Sequence, residues 1–213
     1  MYTYQYTIFR LKPHWVPIAA EHVDYDTIIA EPMIEGIEFI APSVITNIHQ
    51  YIQIKYPHLT PLFLHSKFDQ NGTTMAHTIA KGSAISVTDA SVSLLSQQAT
   101  VSWIITDLSS NMCGEGLAVC PTLYHSCDSY GSKLFGIYCI VTMTRMVTEF
   151  YNVQHGSLVI ACDNDASLDS GTNMQDNAKV DQHYYDMIWE ISDTLKALPI
   201  TIQKKCQRTY RRF

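Results

Sequence analysis

The sequence lacks any long uninterrupted apolar stretch. Its 213 residues are 46% hydrophobic and 16% charged, a composition that is sufficient for a globular core, so global disorder is not expected. Residues 1–15 contain few aliphatic side chains and no run that resembles a signal peptide or a membrane span. We therefore expect an intracellular protein, in the cytoplasm or the nucleus, with no membrane partner.

Basic residues are scarce and unevenly distributed. The formal net charge is -6, from 14 Lys and Arg against 20 Asp and Glu. Five of the basic residues fall in the last ten positions: Lys204, Lys205, Arg208, Arg211 and Arg212. Because phosphate contacts need clustered Lys and Arg, tight binding of a polyanion has to rest on this tail or on a bound metal ion.

No CxxC pair is present among the six cysteines. Three cysteines recur at a spacing of seven, with a histidine nearby: Cys113, Cys120, Cys127 and His125. This pattern leaves a zinc site open as one interpretation. The other interpretation, small core residues, is favoured because Cys139 and Cys162 lie in apolar runs. Disulfides are not expected without a secretory signal.

A polar break at residues 69–74 divides the chain. Before the break, an acidic stretch covers 21–38, and an amphipathic pattern over 42–56 predicts a helix. The break sets the predicted domain boundary. The predicted parts are an N-terminal segment of unknown role over 1–74, a folded domain over 75–203 and a basic tail over 204–213.

After the break, the spacing of apolar residues predicts alternating strands and helices. Three strands come first, and their short polar connections are typical of an antiparallel meander. A long helix, a continuously apolar strand, a second helix and a last strand follow. The predicted segments are strands over 83–89, 99–106 and 112–119, a helix over 128–151, a strand over 157–162, a polar loop over 169–179, a helix over 182–197 and a strand over 199–202.

Four motifs in this order resemble the ribonuclease H (type 1) domain of retrotransposon-encoded reverse transcriptases. Residues 79–91 are similar to the first strand and its "SDGS" region, and residues 102–105 (SWII) to the "AWIL" strand. Residues 128–134 (DSYGSKL) are similar to the "SYRSEL" helix start, and residues 158–163 (LVIACD) to the strand that ends at the "CD" aspartate. The resemblance implies an α/β fold with a ribonuclease H-like mixed five-stranded sheet: an antiparallel meander, a helix, a fourth strand, a helix and a fifth strand.

The resemblance also implies a nuclease site. Members of the family hydrolyse the RNA strand of an RNA/DNA hybrid with divalent ions, Mg2+ or Mn2+, that carboxylates hold. Asp89 and Asp163 match the two strand carboxylates, so they are the expected catalytic and metal-binding residues. Ala90, Ser91 and Ser132 match positions that are expected to contact the nucleic-acid backbone.

Two departures from the family pattern predict impaired catalysis. Lys133 occupies the position of the helix glutamate, which removes an anionic ligand and adds a positive charge beside the cations. A fourth carboxylate is expected after the last strand, in a segment similar to "HVRGHQDD", but residues 204–213 contain no acid. Reading the codons of this segment one nucleotide further along permits Lys-Asn-Val-Arg-Gly-His-Thr-Asp-Asp. We therefore hypothesise a frameshift in an ancestral retroelement.

These observations predict a retroelement-derived hydrolase domain with a degenerate active site and negligible activity. The alternative is a noncatalytic nucleic-acid-binding or structural remnant of a reverse transcriptase polyprotein that retains one weak metal site. An active nuclease that uses a replaced ligand is a third alternative. An RNA/DNA hybrid is the expected partner for any remaining binding, and protein partners stay unknown.

Overall fold

The computed structural model describes residues 45–93, 95, 98–120, 128–172 and 184–206. From Thr46 onward, the chain forms one compact unit. Several predicted features lie outside the described residues: the acidic stretch over 21–38, residues 42–44 of the first predicted helix, Cys127 and His125 of the cysteine pattern, the start of the helix predicted from 182, and residues 207–213 of the basic tail. No helix in the described ranges is long and apolar enough to span a bilayer.

Several short elements precede the main sheet in sequence. They are helix α1 (Ile48–Lys55), a 3-10 turn (Pro57–Leu59), helix α2 (Thr60–Phe63), strand β1 (Lys67–Phe68), a second 3-10 turn (Asp69–Gly72) and helix α3 (Thr73–Ala80). Ile48 and Ile52 of α1 and Met75 of α3 are buried in the same core as the sheet. The described residues from Thr46 to the end of α3 therefore belong to the same compact unit as the sheet.

The remaining elements follow in the predicted order, with one addition. They are strands β2 (Ala84–Ser93), β3 (Gln98–Thr106) and β4 (Met112–Val119), helix α4 (Ser129–Phe150), strand β5 (Ser157–Cys162), helices α5 (Asp165–Thr172) and α6 (Tyr185–Ala197), and strand β6 (Thr201–Cys206). Helix α5 is the addition, because a polar loop is predicted from residue 169. Strand β6 is also longer than predicted, since it pairs with β5 as far as Cys206. The first residues of the predicted basic tail thus belong to the sheet.

The strands form one mixed sheet in the order β1-β4-β3-β2-β5-β6. Strands β2, β3 and β4 are antiparallel neighbours, which confirms the predicted meander. Strand β5 runs parallel to β2, and β6 runs parallel to β5. The predicted ribonuclease H-like mixed α/β fold is confirmed, with a sixth strand as a correction. The extra strand is the two-residue β1, which pairs with β4.

Helix α4 is the central element of the core, and two glycines allow its close packing. A Cβ atom at Gly136 would lie 2.0 Å from Oγ1 of Thr88 on β2, and one at Gly131 would lie 2.1 Å from the ring of Tyr184. Both glycines lower the helix propensity of this segment. The contacts explain their presence, because any larger residue would push α4 away from its neighbours.

The C-terminal end of α4 is held to α1 by a polar cluster around Glu149. The carboxylate accepts hydrogen bonds from Tyr51 at 3.0 Å, Lys55 at 2.9 Å, Arg145 at 2.9 Å and from the hydroxyl of Tyr56. Partial burial by itself favours the protonated acid. The four hydrogen bonds, led by the one from Tyr56, outweigh burial and lower the pKa of Glu149 to about 2.

This cluster predicts an acid-sensitive contribution to stability. Because the folded pKa of Glu149 lies below its ordinary value of 4.5, the contribution is full above pH 4.5 and is lost as pH falls toward about 2. Linkage sets its upper limit at about 3 kcal/mol, and partial exposure reduces it. In urea unfolding, the stability difference between the wild type and Glu149→Gln should shrink over this pH range. A difference that is independent of pH, or equal to that of the control Glu115→Gln, a half-buried carboxylate paired with Lys67, contradicts this prediction.

Candidate active site

Asp89 and Asp163 lie beside each other on neighbouring strands. Asp89 belongs to β2, and Asp163 follows the last residue of β5. The parallel register of these strands pairs Val87 with Ala161, and each aspartate lies two residues beyond that pair. The two carboxylates predicted for the site are therefore brought together at the end of β5.

Hydrogen bonds around the first turn of α4 fix the helix that supplies the third side chain. The carboxylate of Asp128 accepts from the backbone N–H of Gly131 at 2.7 Å, which caps the helix. The hydroxyl of Tyr184 donates to the same carboxylate at 3.1 Å. With the close approach at Gly136, these contacts fix both the rotation of α4 and its distance from β2. Lys133 lies between Gly131 and Gly136 along the helix, so these contacts also set the position of its side chain.

The ammonium of Lys133 lies between the two carboxylates. It donates to Oδ1 of Asp89 at 3.1 Å and also to Oδ1 of Asp163. The side chain of Lys133 is only 9% exposed, whereas those of Asp89 and Asp163 are 75% and 44% exposed. The cation is therefore the buried partner, and the two acids are the partners that reach solvent.

The surroundings of Lys133 keep it charged. Burial acts first and disfavours the ammonium, but the hydrogen bonds to Asp163 and then to Asp89 outweigh it, so the pKa of Lys133 is raised. A lysine is rarely buried without such partners. The site consequently contains a fixed cation at neutral pH.

The Mg2+ or Mn2+ that the resemblance implies does not fit this arrangement. Hard divalent ions need several carboxylate oxygens, and within the described ranges no group of three or more His, Cys, Asp or Glu side chains could hold a metal ion. The Lys133 ammonium also occupies the space between Asp89 and Asp163. A divalent ion bound to both carboxylates would meet a positive charge at contact distance.

The three predicted nucleic-acid contacts differ in accessibility. Ser91 is exposed, and Ala90 is half-buried, with its backbone N–H donating to Oδ1 of Asp89 at 2.8 Å. Ser132 is fully buried, and its hydroxyl donates to the carbonyl of Ser129 at 3.2 Å. The contact with nucleic acid that is expected of Ser132 stays a prediction, and the side chain of this α4 residue lies in the core.

One supporting element of the site was not predicted. Asn164 accepts a hydrogen bond from the backbone of Ser167 at 3.0 Å and so caps α5, and the Ser167 hydroxyl donates to the carbonyl of Tyr130 at 3.0 Å. These bonds hold the turn that contains Asp163 against the start of α4. The signal in the sequence is Asn164 directly followed by Asp165, because Asn is a favoured N-cap and acidic residues favour the first turn of a helix.

Four of the cysteines are buried: Cys113, Cys120, Cys139 and Cys162. Burial as small apolar side chains agrees with the favoured interpretation of these residues. Burial also raises the pKa of Cys139 and Cys162. Their thiols are therefore kept in the protonated form, which is the less reactive one.

The strand order, the strand directions and the central helix define a ribonuclease H-like fold. Similar solved structures include RNase H1 from the archaeon Halobacterium salinarum, at 11% identity and a TM-score of 0.42, covering 59% of this chain and 87% of that chain. The chain is also similar to the LC11-RNase H1 complex with an RNA/DNA hybrid, at 11% identity and a TM-score of 0.44, covering 61% of this chain and 89% of that chain.

A third similar structure is the foamy viral protease-reverse transcriptase in complex with dsDNA, at 12% identity and a TM-score of 0.40, covering 60% of this chain and 83% of that chain. No protein-family model and no curated protein matches the sequence. The identities and TM-scores are low. The fold assignment therefore rests on the topology of the sheet, and function has to be argued from the site.

Proposed function

We propose that this chain is a retroelement-derived ribonuclease H-like domain whose nuclease activity is impaired. The observation that supports the proposal is the Lys133 ammonium between Asp89 and Asp163. In metal-assisted hydrolysis, a divalent ion activates a water and stabilises the leaving oxygen. An ammonium offsets part of the negative charge of the two acids, but it has no open coordination position that could activate a water. The two carboxylates thus remain side by side, but an ammonium between them cannot carry out metal-assisted hydrolysis.

A second candidate function is noncatalytic binding of an RNA/DNA hybrid. Lys133 offsets part of the negative charge of two acids that face solvent beside the exposed Ser91. A phosphate backbone that approaches this end of β2 therefore meets less repulsion than it would at two unpaired carboxylates. Recognition would rest on duplex shape and 2'-hydroxyl contacts, since basic side chains are few.

The retroelement origin rests on the sequence motifs and on the hypothesis of a frameshift in the tail. The coding DNA tests that hypothesis directly. Codons that cannot yield the shifted reading Lys-Asn-Val-Arg-Gly-His-Thr-Asp-Asp would contradict it, and codons that spell it would support an ancestral fourth carboxylate. The expected location, cytoplasm or nucleus, stays a prediction.

The proposed function predicts that the chain does not cleave a labelled RNA/DNA hybrid in Mg2+ or Mn2+ faster than Asp89→Asn. The variant controls for contaminating nuclease, because it lacks one carboxylate of the site and is purified in the same way. A working metal nuclease should exceed the variant by several orders of magnitude. Cleavage that Asp89→Asn abolishes would overturn the proposal. Fluorescence anisotropy with the same hybrid in chelator tests the second candidate, which requires binding without cleavage.

A further inference from the structure

We infer that Lys133 supplies, from within the chain, the positive charge that a divalent ion would otherwise place between Asp89 and Asp163, so that the stability of this domain does not depend on metal. The inference rests on the proposed function, because both concern the same site. It makes a separate claim, however, about folding and not about cleavage. It also implies that the stability of a single variant, Lys133→Glu, depends on a bound metal ion.

The first step of the argument is the need for a positive charge. Asp89 lies on β2 and Asp163 directly follows the parallel strand β5, each two residues beyond a register pair of these strands, and a third element, α4, packs against them. Two carboxylates fixed at this spacing repel each other unless a cation lies between them. The hydrogen bonds from Lys133 to both acids supply that cation from within the chain.

The second step is competition for the same carboxylate atoms. Lys133 donates to Oδ1 of Asp89 and to Oδ1 of Asp163. A divalent ion that bound both acids would need these oxygens and would have to displace a buried ammonium. The displaced ammonium would remain buried without a counter-charge, because the side chain of Lys133 is only 9% exposed. Metal and lysine are therefore alternatives at this site and cannot bind together.

The third step concerns what replaces Lys133. A glutamate at this position would add a third carboxylate from a third element, and three carboxylates form a suitable site for a hard divalent ion. Without metal, the same three acids would repel one another in a partly desolvated place. Lys133→Glu should therefore depend on metal for its stability, whereas Lys133→Met, with no charge, should respond much less.

Thermal unfolding in chelator and in Mn2+ tests the inference. We expect the Tm of the wild type to agree within about 1 °C in the two conditions, since no metal-dependent contact stabilises it. The Tm of Lys133→Glu should be lower than that of the wild type in chelator. It should rise by roughly 5–10 °C at a Mn2+ concentration near a hundred times the dissociation constant. Lys67→Glu is the matched control, because it makes the same charge change at an exposed lysine that is paired with Glu115.

Two results would overturn the inference. One is a Lys133→Glu protein whose Tm responds to Mn2+ no more than that of Lys67→Glu. The other is a wild-type protein that Mn2+ stabilises and that loses this response in Asp89→Asn. If Lys133→Glu does not fold in either condition, Mn2+ binding to the wild type, measured by electron paramagnetic resonance, decides: bound Mn2+ that Asp89→Asn removes contradicts the inference, and its absence supports it.

The thermal and cleavage experiments can fail independently. Cleavage of the hybrid by a wild type whose Tm does not respond to Mn2+ would remove the proposed function and the claim that metal and lysine exclude each other. It would leave intact the claim that the stability of the fold does not depend on metal. Stabilisation of the wild type by Mn2+ through Asp89, without cleavage, would remove the inference and leave the proposed function intact. The thermal measurements need no nucleic acid, so they test the claim about stability separately from the claim about cleavage.

Discussion

Gly136→Ala is expected to lower the free energy of unfolding by about 3 kcal/mol, the upper end for overpacking in a core. The added Cβ would lie 2.0 Å from Oγ1 of Thr88. Thr88 is a short side chain on the central strand β2, so it cannot move aside as the end of a long, flexible side chain could. The Thr88 hydroxyl also donates to the carbonyl of Ser102 at 3.0 Å. Relieving the clash therefore means moving α4 or breaking a hydrogen bond within the sheet.

A second helical glycine provides the control. A Cβ at Gly171 on α5 would meet only the ends of flexible side chains, at 3.1 Å from Ile137 and 3.2 Å from Leu134. The gain in helix propensity from glycine to alanine is up to about 1 kcal/mol. Gly171→Ala should therefore stay within about 1 kcal/mol of the wild type in urea unfolding, while Gly136→Ala falls well below it.

A double variant isolates the contact with the strand. Thr88→Ala removes the hydroxyl that the new methyl group meets, so the double variant Thr88→Ala/Gly136→Ala should be more stable than the sum of the single effects predicts. Strict additivity would contradict a direct clash between these two positions. An unchanged stability of Gly136→Ala would show that α4 can move away from β2 at little cost.

Local patterns in the sequence were sufficient to predict most of the sheet. The predicted bounds of β4 and β5 coincide with those observed, Met112–Val119 and Ser157–Cys162. Alternating or continuous apolar residues mark these strands, and polar connections end them. Strand β1 was missed because its two residues are a strand only through pairing with β4, and such a pairing leaves no periodic signal in the sequence.

Helix α5 was missed for a related reason. It is eight residues long and contains few apolar side chains, so its sequence favours a loop. Its stability comes from tertiary packing, because Leu168 is buried and Gly171 lies close to α4. Short helices are marginal by themselves, and packing decides whether they form.

The candidate site was predictable in its residues and not in its geometry. The positions of Asp89 and Asp163 follow from two strands and their register, which sequence patterns can indicate. The position of the Lys133 ammonium depends on the rotation of α4 and on its close approach at Gly136. Ser132 shows the same limit, since adjacent residues on a helix point in directions about 100° apart. Which of them reaches the site is decided by packing.

The double variant Asp89→Asn/Asp163→Asn is expected to lower the free energy of unfolding by about 3 kcal/mol at neutral pH in chelator. Asparagine keeps the shape of each side chain and one acceptor, but it leaves the buried ammonium of Lys133 without a counter-charge. Removing the partner of a buried charge typically costs about 3–5 kcal/mol, and partial solvent access places this site at the lower end.

The difference in burial between Lys133 and the two acids leads to a second expected result. Lys133 is the buried member, and the two acids are largely exposed, so removing the lysine relieves the cost of desolvating it. Adding Lys133→Met to the double variant should therefore restore most of the lost stability. The expected order in urea unfolding is wild type, then triple variant, then double variant.

A surface ion pair supplies the matched control. Lys204 and Asp169 form a pair in which both side chains are exposed, so Asp169→Asn should change stability by no more than about 1 kcal/mol. A triple variant less stable than the double variant would contradict the argument, because it would mean that Lys133 contributes through its own packing and not through its charge. A double variant as stable as the wild type would show that water reaches the ammonium without cost. In that case the two aspartates would not be what keeps a lysine buried at this site.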